Sequence, residues 1–61
     1  MLQEIIDSYI NGQQKQMVKQ IEDYGEGSFF TNLRNEILIN GLDKDLFINI
    51  ATTYHMLKDG E

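Results

Sequence analysis

The sequence predicts an all-α fold, a compact bundle of three to four short helices in a single domain spanning residues 1–61. Apolar residues recur at helical spacing in four segments of the chain. The breaks between these segments hold Gly and Asn, which favour turns, and the chain contains no Pro. Helices this short are marginal in water when isolated, so the four must pack against one another.

The first two segments have the apolar spacing of amphipathic helices. Segment one, Leu2–Ile10, is apolar on one face, and Asn11–Gly12 predicts its end because both residues tolerate positive φ. Its other face is polar and holds Gln3, Glu4, Asp7 and Ser8. Segment two, Gln13–Tyr24, has a Gln-rich exterior, which predicts a helix that the core only half covers. Its narrow apolar stripe consists of Met17, Val18, Ile21 and Tyr24.

Segment three, Phe29–Ile39, is a helix that begins after a glycine-rich run. Ser28 is its expected N-cap, and Gly25–Gly27 predicts a flexible turn before it. Asn40–Gly41 predicts the end of the helix. Its shared apolar face consists of Phe29, Phe30, Leu33 and Ile37.

Segment four, Lys44–Lys58, has the clearest helix signals. Asp43 is a natural N-cap, and Gly60 predicts the end of the helix. One face is apolar and consists of Leu46, Phe47, Ile50, Ala51, Tyr54 and Leu57. Several β-branched residues lower its helix propensity, so a strand is the alternative for this segment.

Composition excludes several kinds of site. The chain has no Cys, so it holds no disulfide or thiolate metal site, and its single His argues against a zinc site within one chain. The net charge of −5 repels phosphate backbones and anionic lipid, so nucleic-acid binding is disfavoured. No apolar run approaches the ~18 residues of a membrane span, and the N-terminus lacks the basic region of a signal peptide. We therefore expect a cytoplasmic protein without membrane contact.

Segment four also carries a second stripe, roughly opposite its apolar face at 100° per residue. A helix that is apolar on two sides is either central in the fold or part of an interface, and both interpretations are open. A chain of this length has little mass to cover both sides, which favours an interface with a protein partner or with a second copy. Two residues at the end of segment three also lack an obvious place in a monomer. The candidate interface therefore comprises Leu38, Ile39, Ile48, Thr52, His55 and Met56.

No set of residues has the spacing of a catalytic, cofactor or metal site. His55 has no nucleophile or glycine-rich oxyanion loop beside it. Asp43–Asp45 leads directly into an apolar helix and lacks the twelve-residue pattern of a calcium loop. Gly25–Gly27 lacks the Lys-Ser/Thr of a phosphate-binding loop. The sequence therefore predicts a protein that is not an enzyme and that uses no cofactor and no metal.

The N-terminal part of the chain carries the pattern Ile6-x-x-Tyr9-Ile10-Asn11-Gly12-x-x-Lys15-Gln16-x-Val18. Together with a composition rich in Ile, Asn, Lys, Tyr and Asp, this pattern resembles short open reading frames of bacteriophages and prophages. The resemblance implies a short helical accessory protein that binds a host or phage factor in the host cytoplasm. It implies no catalytic residue.

These observations favour a small protein–protein interaction module, acting as a homodimer or on a host or phage factor, with segment four as its contact surface. One alternative is an acidic inhibitor that imitates nucleic acid and occupies a DNA-handling enzyme, which predicts acids clustered on one face. A second alternative is a helix-turn-helix-like DNA-binding regulator, because a short turn joins segments three and four. Segment four offers Lys only at its ends, so this alternative has few phosphate contacts to draw on.

Overall fold

Four α-helices follow one another along the chain. The structure, a computed structural model, describes residues 2–59, and its helices span Leu2–Ile10 (α1), Gln14–Tyr24 (α2), Glu26–Asn40 (α3) and Lys44–Asp59 (α4). No strand occurs within these residues, so the all-α prediction is confirmed and the strand alternative for segment four is wrong. The predicted helix end at Gly60 lies outside the described residues.

The start of α3 is where the structure departs most from the sequence prediction. The helix begins at Glu26, so the predicted turn at Gly25–Gly27 is confined to Gly25. Ser28 lies inside the helix and is not its N-cap. The N-cap is Gly25, which has no side chain to accept a hydrogen bond from the helix. Ser28 was predicted as the N-cap because it directly precedes apolar residues, as N-caps often do. In the structure the chain turns three residues earlier, at Gly25, so Ser28 is already inside the helix.

A single residue, Gly25, connects α2 to α3. Its N–H donates to the Ile21 carbonyl at 2.9 Å, and its carbonyl accepts from the Phe29 N–H at 2.8 Å. One residue therefore continues the hydrogen bonding of both helices. Its backbone lies at φ 104° and ψ 111°, which L-residues with a side chain rarely adopt. The connection depends on glycine for this reason.

The other two links use the predicted turn residues. Gly12 (φ 78°) follows α1, and Gly41 ends α3 in the left-handed conformation at φ 71°. Asp43 caps α4, because its Oδ1 accepts a hydrogen bond from the Asp45 N–H at 2.9 Å. The sequence therefore predicted these two links and the cap of α4 correctly.

The core is formed by all four helices, with α2 packed against each of the others. α1 packs on α2 and α3, and α4 packs on the same two helices. The apolar stripes predicted from the sequence supply the core. Its buried apolar side chains are Ile5, Ile6, Met17, Ile21, Phe29, Leu33, Ile50 and Tyr54.

Two residues of α1 lie on the opposite side from the prediction. Ser8 was assigned to the polar face but is buried, and its hydroxyl lies 2.7 Å from Gln20 Oε1 of α2 and 3.1 Å from the Glu4 carbonyl. These acceptors let a hydroxyl enter the core without an unsatisfied hydrogen bond. Ile10 was assigned to the apolar face but is 66% exposed, because it is the last residue of the helix.

Candidate protein-interaction surface

Helix α4 has one buried face and one exposed face. Ile50 and Tyr54 are fully buried against α2 and α3. On the other side, Ile48 is 57% exposed and Met56 is 69% exposed. Thr52 and His55 of the same stripe are also exposed. The second stripe therefore does not serve the core, and the interpretation of α4 as a central core helix is wrong.

Helices α3 and α4 run antiparallel. Glu26 at the start of α3 contacts Lys58 at the end of α4, and Phe30 contacts the rings of Phe47, Tyr54 and His55. Residues near the end of α3 therefore lie beside residues near the start of α4. This arrangement brings Leu38 and Ile48, which are ten residues apart in the sequence, to one place on the surface.

A groove of about 260 Å³ lies between these two helix ends. Its lining is mostly apolar and consists of Arg34, Ile37, Leu38, Lys44, Phe47 and Ile48. Leu38 is 70% exposed at the groove. Ile39 is 77% exposed but does not line the groove, because it is displaced by about 100° from Leu38 around α3.

Two of the five basic residues of the chain line this groove. Arg34 and Lys44 are exposed, and neither forms a hydrogen bond or ion pair with another side chain among residues 2–59. Lys44 has Asp43 and Asp45 as sequence neighbours, whereas Arg34 is flanked by Leu33 and Asn35. Two cationic side chains therefore border a largely apolar groove on the surface of an acidic protein. The sequence prediction missed this feature because the two residues are distant in the chain.

His55 extends the exposed surface of α4 towards its C-terminal half. Its ring stacks on Phe30, with centroids 6.3 Å apart and planes 13° apart. It also meets the ring of Tyr54 edge-on, with centroids at 5.5 Å. The predicted interface residue His55 thus has an aromatic support beneath it while remaining exposed.

A polar cluster that the sequence did not predict joins the opposite ends of α3 and α4. The Tyr54 hydroxyl donates to Glu26 Oε1 at 2.7 Å, and Lys58 Nζ donates to the same oxygen at 3.0 Å. Lys58 Nζ also lies 5.4 Å from the centroid of the Tyr54 ring. The residues are up to 32 positions apart in the chain, so no local spacing pattern indicated the cluster.

This cluster shifts the pKa of each of its members. Hydrogen bonds from Tyr54 and then Lys58 lower the pKa of Glu26 below its ordinary 4.5. Burial, followed by the hydrogen bond to Glu26, raises the pKa of Tyr54 above 10.0. The hydrogen bond to Glu26 raises the pKa of Lys58 above 10.5. All three shifts favour an ionised Glu26, a neutral Tyr54 and a protonated Lys58 at neutral pH.

The Tyr54→Phe substitution is expected to destabilise the protein near neutral pH and to do so less in acid. The pKa of Glu26 is lowered by folding, so its stabilising contribution is present above about pH 4.5 and disappears as the pH falls through the folded pKa. Urea unfolding of both proteins at pH 7 and at pH 3 measures the difference. An equal loss of stability at both pH values would show that the cluster contributes nothing through ionisation.

Negative charges occupy separate parts of the structure. Glu26 lies beside Lys58, while Asp43 and Asp45 lie at the start of α4. Since α4 rises about 1.5 Å per residue, the two places are about 20 Å apart.

Within residues 2–59 no three Asp, Glu or His side chains come close enough to hold a metal ion. The same residues include no helix with the length and apolarity to span a membrane.

A second concavity, of about 520 Å³, lies where α1, α2 and α3 meet. Its lining mixes apolar and polar side chains: Leu2, Gln3, Ile6, Tyr24, Glu36 and Leu42. None of the predicted interface residues lines it. The outer surface of α3 and α4 is therefore the place where most of the predicted residues come together.

Comparisons with protein-family models, with curated proteins and with solved structures found no match for this chain. The resemblance of Ile6–Val18 to bacteriophage reading frames therefore stays a prediction. The same holds for the nucleic-acid-mimicking and DNA-binding alternatives.

Proposed function

We propose that this chain is a small, non-enzymatic protein–protein interaction module whose contact surface is the outer side of α3 and α4. The observation that carries the proposal is the exposure of Leu38, Ile48 and Met56 on helices whose other faces already fill the core. Burying these side chains against a partner would remove apolar area from water, with a favourable transfer free energy of about 25 cal/mol per Å².

The size of the protein is compatible with this role. A stable interface buries about 800 Å² on each partner. This is about one fifth of the 4204 Å² surface of the chain, an area that one side of a helix pair can supply. Isolated exposed apolar residues are common on protein surfaces, whereas a set that shares a groove marks a contact site more specifically.

Acid–base catalysis has little support in the polar cluster. A general acid or base works best when its pKa lies near the operating pH. Folding moves the pKa of Glu26 below 4.5 and that of Tyr54 above 10.0, so both shifts lead away from neutrality. We therefore interpret this cluster as a link between α3 and α4. Its ion pair is solvent-exposed and contributes little stability.

Substituting both Ile48 and Met56 with aspartate is expected to abolish binding. The change places two charges in the centre of the proposed contact, where an uncompensated buried charge is costly. The control is Ile10→Asp, which introduces one such charge at a comparably exposed apolar residue at the end of α1. The measurement is capture of proteins from a lysate of the source organism, together with sedimentation velocity for self-association.

The expected result is that wild type and Ile10→Asp retain the same proteins, or the same self-association, while the double variant loses them. Circular dichroism should show the same helix content in all three, since the substituted side chains are outside the core. If all three proteins capture the same set, or none captures anything and all are monomers, the proposed surface is wrong.

A further inference from the structure

We propose that the groove between α3 and α4 binds an acidic amphipathic helix of another protein, with an apolar side chain in the groove and carboxylates against Arg34 and Lys44. This inference rests on the proposed function and adds the chemistry of the partner. It follows from three properties of the groove, which are its size, its position between two helices and its charge.

The size of the groove fits a side chain rather than a free small molecule. Its volume of about 260 Å³ is below the ~300–1,000 Å³ of typical ligand pockets. Its floor is apolar, formed by residues such as Ile37 and Phe47 that are half-buried against the core. One or two aliphatic or aromatic side chains from a partner would fill it, as an anchor residue does in a protein interface.

The position of the groove suits a helix. Two antiparallel helices present a channel between them into which the ridge of a third helix can pack. Exposed side chains continue from the groove along α4 in steps of four residues, first Thr52 and then the apolar Met56. A partner helix with apolar residues at i, i+3, i+4 and i+7 would follow this line.

The charge of the groove selects the partner. A docked helix would shield Arg34 and Lys44 from water, and buried cations are costly unless they are paired. Neither has an ion-pair partner within residues 2–59, so carboxylates of the incoming helix would form ion pairs with both. Arg34 should contribute more to binding than Lys44, because its guanidinium can bind a carboxylate with two hydrogen bonds and no acid adjoins it in the sequence.

A second copy of the chain is the less suitable occupant. Each copy has a net charge of −5, so two copies bring their like charges together over the whole surface. A partner needs acidic residues only on the part of its helix that meets Arg34 and Lys44, and its remaining surface can be neutral or basic. An acidic helix of another protein therefore fits the charges of the groove better than a second copy does.

The test is selection from a random display library of peptides of about 16 residues, long enough for four helical turns. The immobilised full chain is the target, and the selected peptides are then titrated by fluorescence anisotropy. The key variant is Arg34→Gln with Lys44→Gln. Its matched control is Lys15→Gln with Lys19→Gln, which makes the same change in net charge on the exposed side of α2.

We expect selected peptides to combine helical apolar spacing with Glu or Asp. We expect the Arg34/Lys44 variant to bind them at least about tenfold more weakly than the Lys15/Lys19 control. Equal affinities, or peptides without acidic residues, would overturn the charge-based selection. If Ile48→Asp with Met56→Asp still abolished their binding, the proposed function would survive that result.

Two further outcomes would overturn the inference in a different way. A dimer in sedimentation that the Ile48/Met56 variant dissociates, with no peptide selected, would place a second copy in the groove. A monomer that selects no peptide would overturn this inference, and it would also overturn the proposed function if the chain captured no protein from the lysate.

Discussion

Replacing Phe29 with alanine is expected to leave most of the protein unfolded at room temperature. Phe29 is fully buried, and its ring packs edge-on against Tyr24 and Phe30 with centroids 6.0 and 4.9 Å away. A Phe→Ala change in a core costs about 3–5 kcal/mol because it removes apolar contact and leaves a cavity. A single core of this size rarely supplies more than about 3–5 kcal/mol in total. The loss is therefore comparable to the whole free energy of unfolding.

Far-UV circular dichroism during urea titration measures this effect. The Phe29→Ala protein should lose most of its helical signal before urea is added. Ile10→Ala is the control, because this side chain is exposed and its truncation should change stability by less than about 0.5 kcal/mol. A helical Phe29→Ala protein with an almost unchanged urea midpoint would mean that the core does not depend on this ring.

Two glycine substitutions only two residues apart are expected to change stability in opposite directions. At Gly25, the backbone φ of 104° is strained for alanine, at a cost of about 1–3 kcal/mol. The cost is conformational rather than steric, since the nearest side-chain atom to an added Cβ would be Ser28 Oγ at 3.7 Å. At Gly27, inside α3, an added Cβ meets nothing within 4 Å. Alanine there should stabilise the protein by about 0.4–1 kcal/mol by restricting the unfolded chain.

The two variants serve as controls for each other, because each adds one methyl group and the two positions are only two residues apart, one in the link and one inside α3. Thermal and urea unfolding should place Gly25→Ala below wild type and Gly27→Ala above it. If Gly25→Ala proved as stable as wild type, the sharp turn between α2 and α3 could not have the backbone geometry described above.

The sequence allowed most of the fold to be predicted because helical periodicity is a local signal. Apolar spacing located all four helices, and the Asp43 cap and the glycine at position 41 fixed two of their ends. Helical periodicity did not predict burial correctly where contacts between helices determine it. Ser8 is polar and was assigned to solvent, but its acceptor Gln20 lies on another helix and allows its burial. Nothing in the spacing of α1 could reveal that partner.

The candidate surface was predictable only in part for a related reason. The second stripe of α4 follows from periodicity alone, and Ile48 and Met56 are indeed exposed. The groove, by contrast, forms from residues of two helices, so Arg34 and Lys44 could not be assigned to it before their relative placement was known. Ile39 is adjacent to Leu38 in the sequence but lies on a different side of α3, so it does not line the groove and its place in the interface stays a prediction.

Under the proposed function, the division of α4 into two faces separates the residues that stabilise the fold from those that would bind a partner. Ile50 and Tyr54 hold the helix on the bundle, whereas Ile48 and Met56 contribute almost nothing to the core. Mutations on the outer face can therefore accumulate with little effect on folding, because surface changes usually alter stability by less than about 0.5 kcal/mol. A chain built this way can drift from one binding specificity to another while keeping the same scaffold.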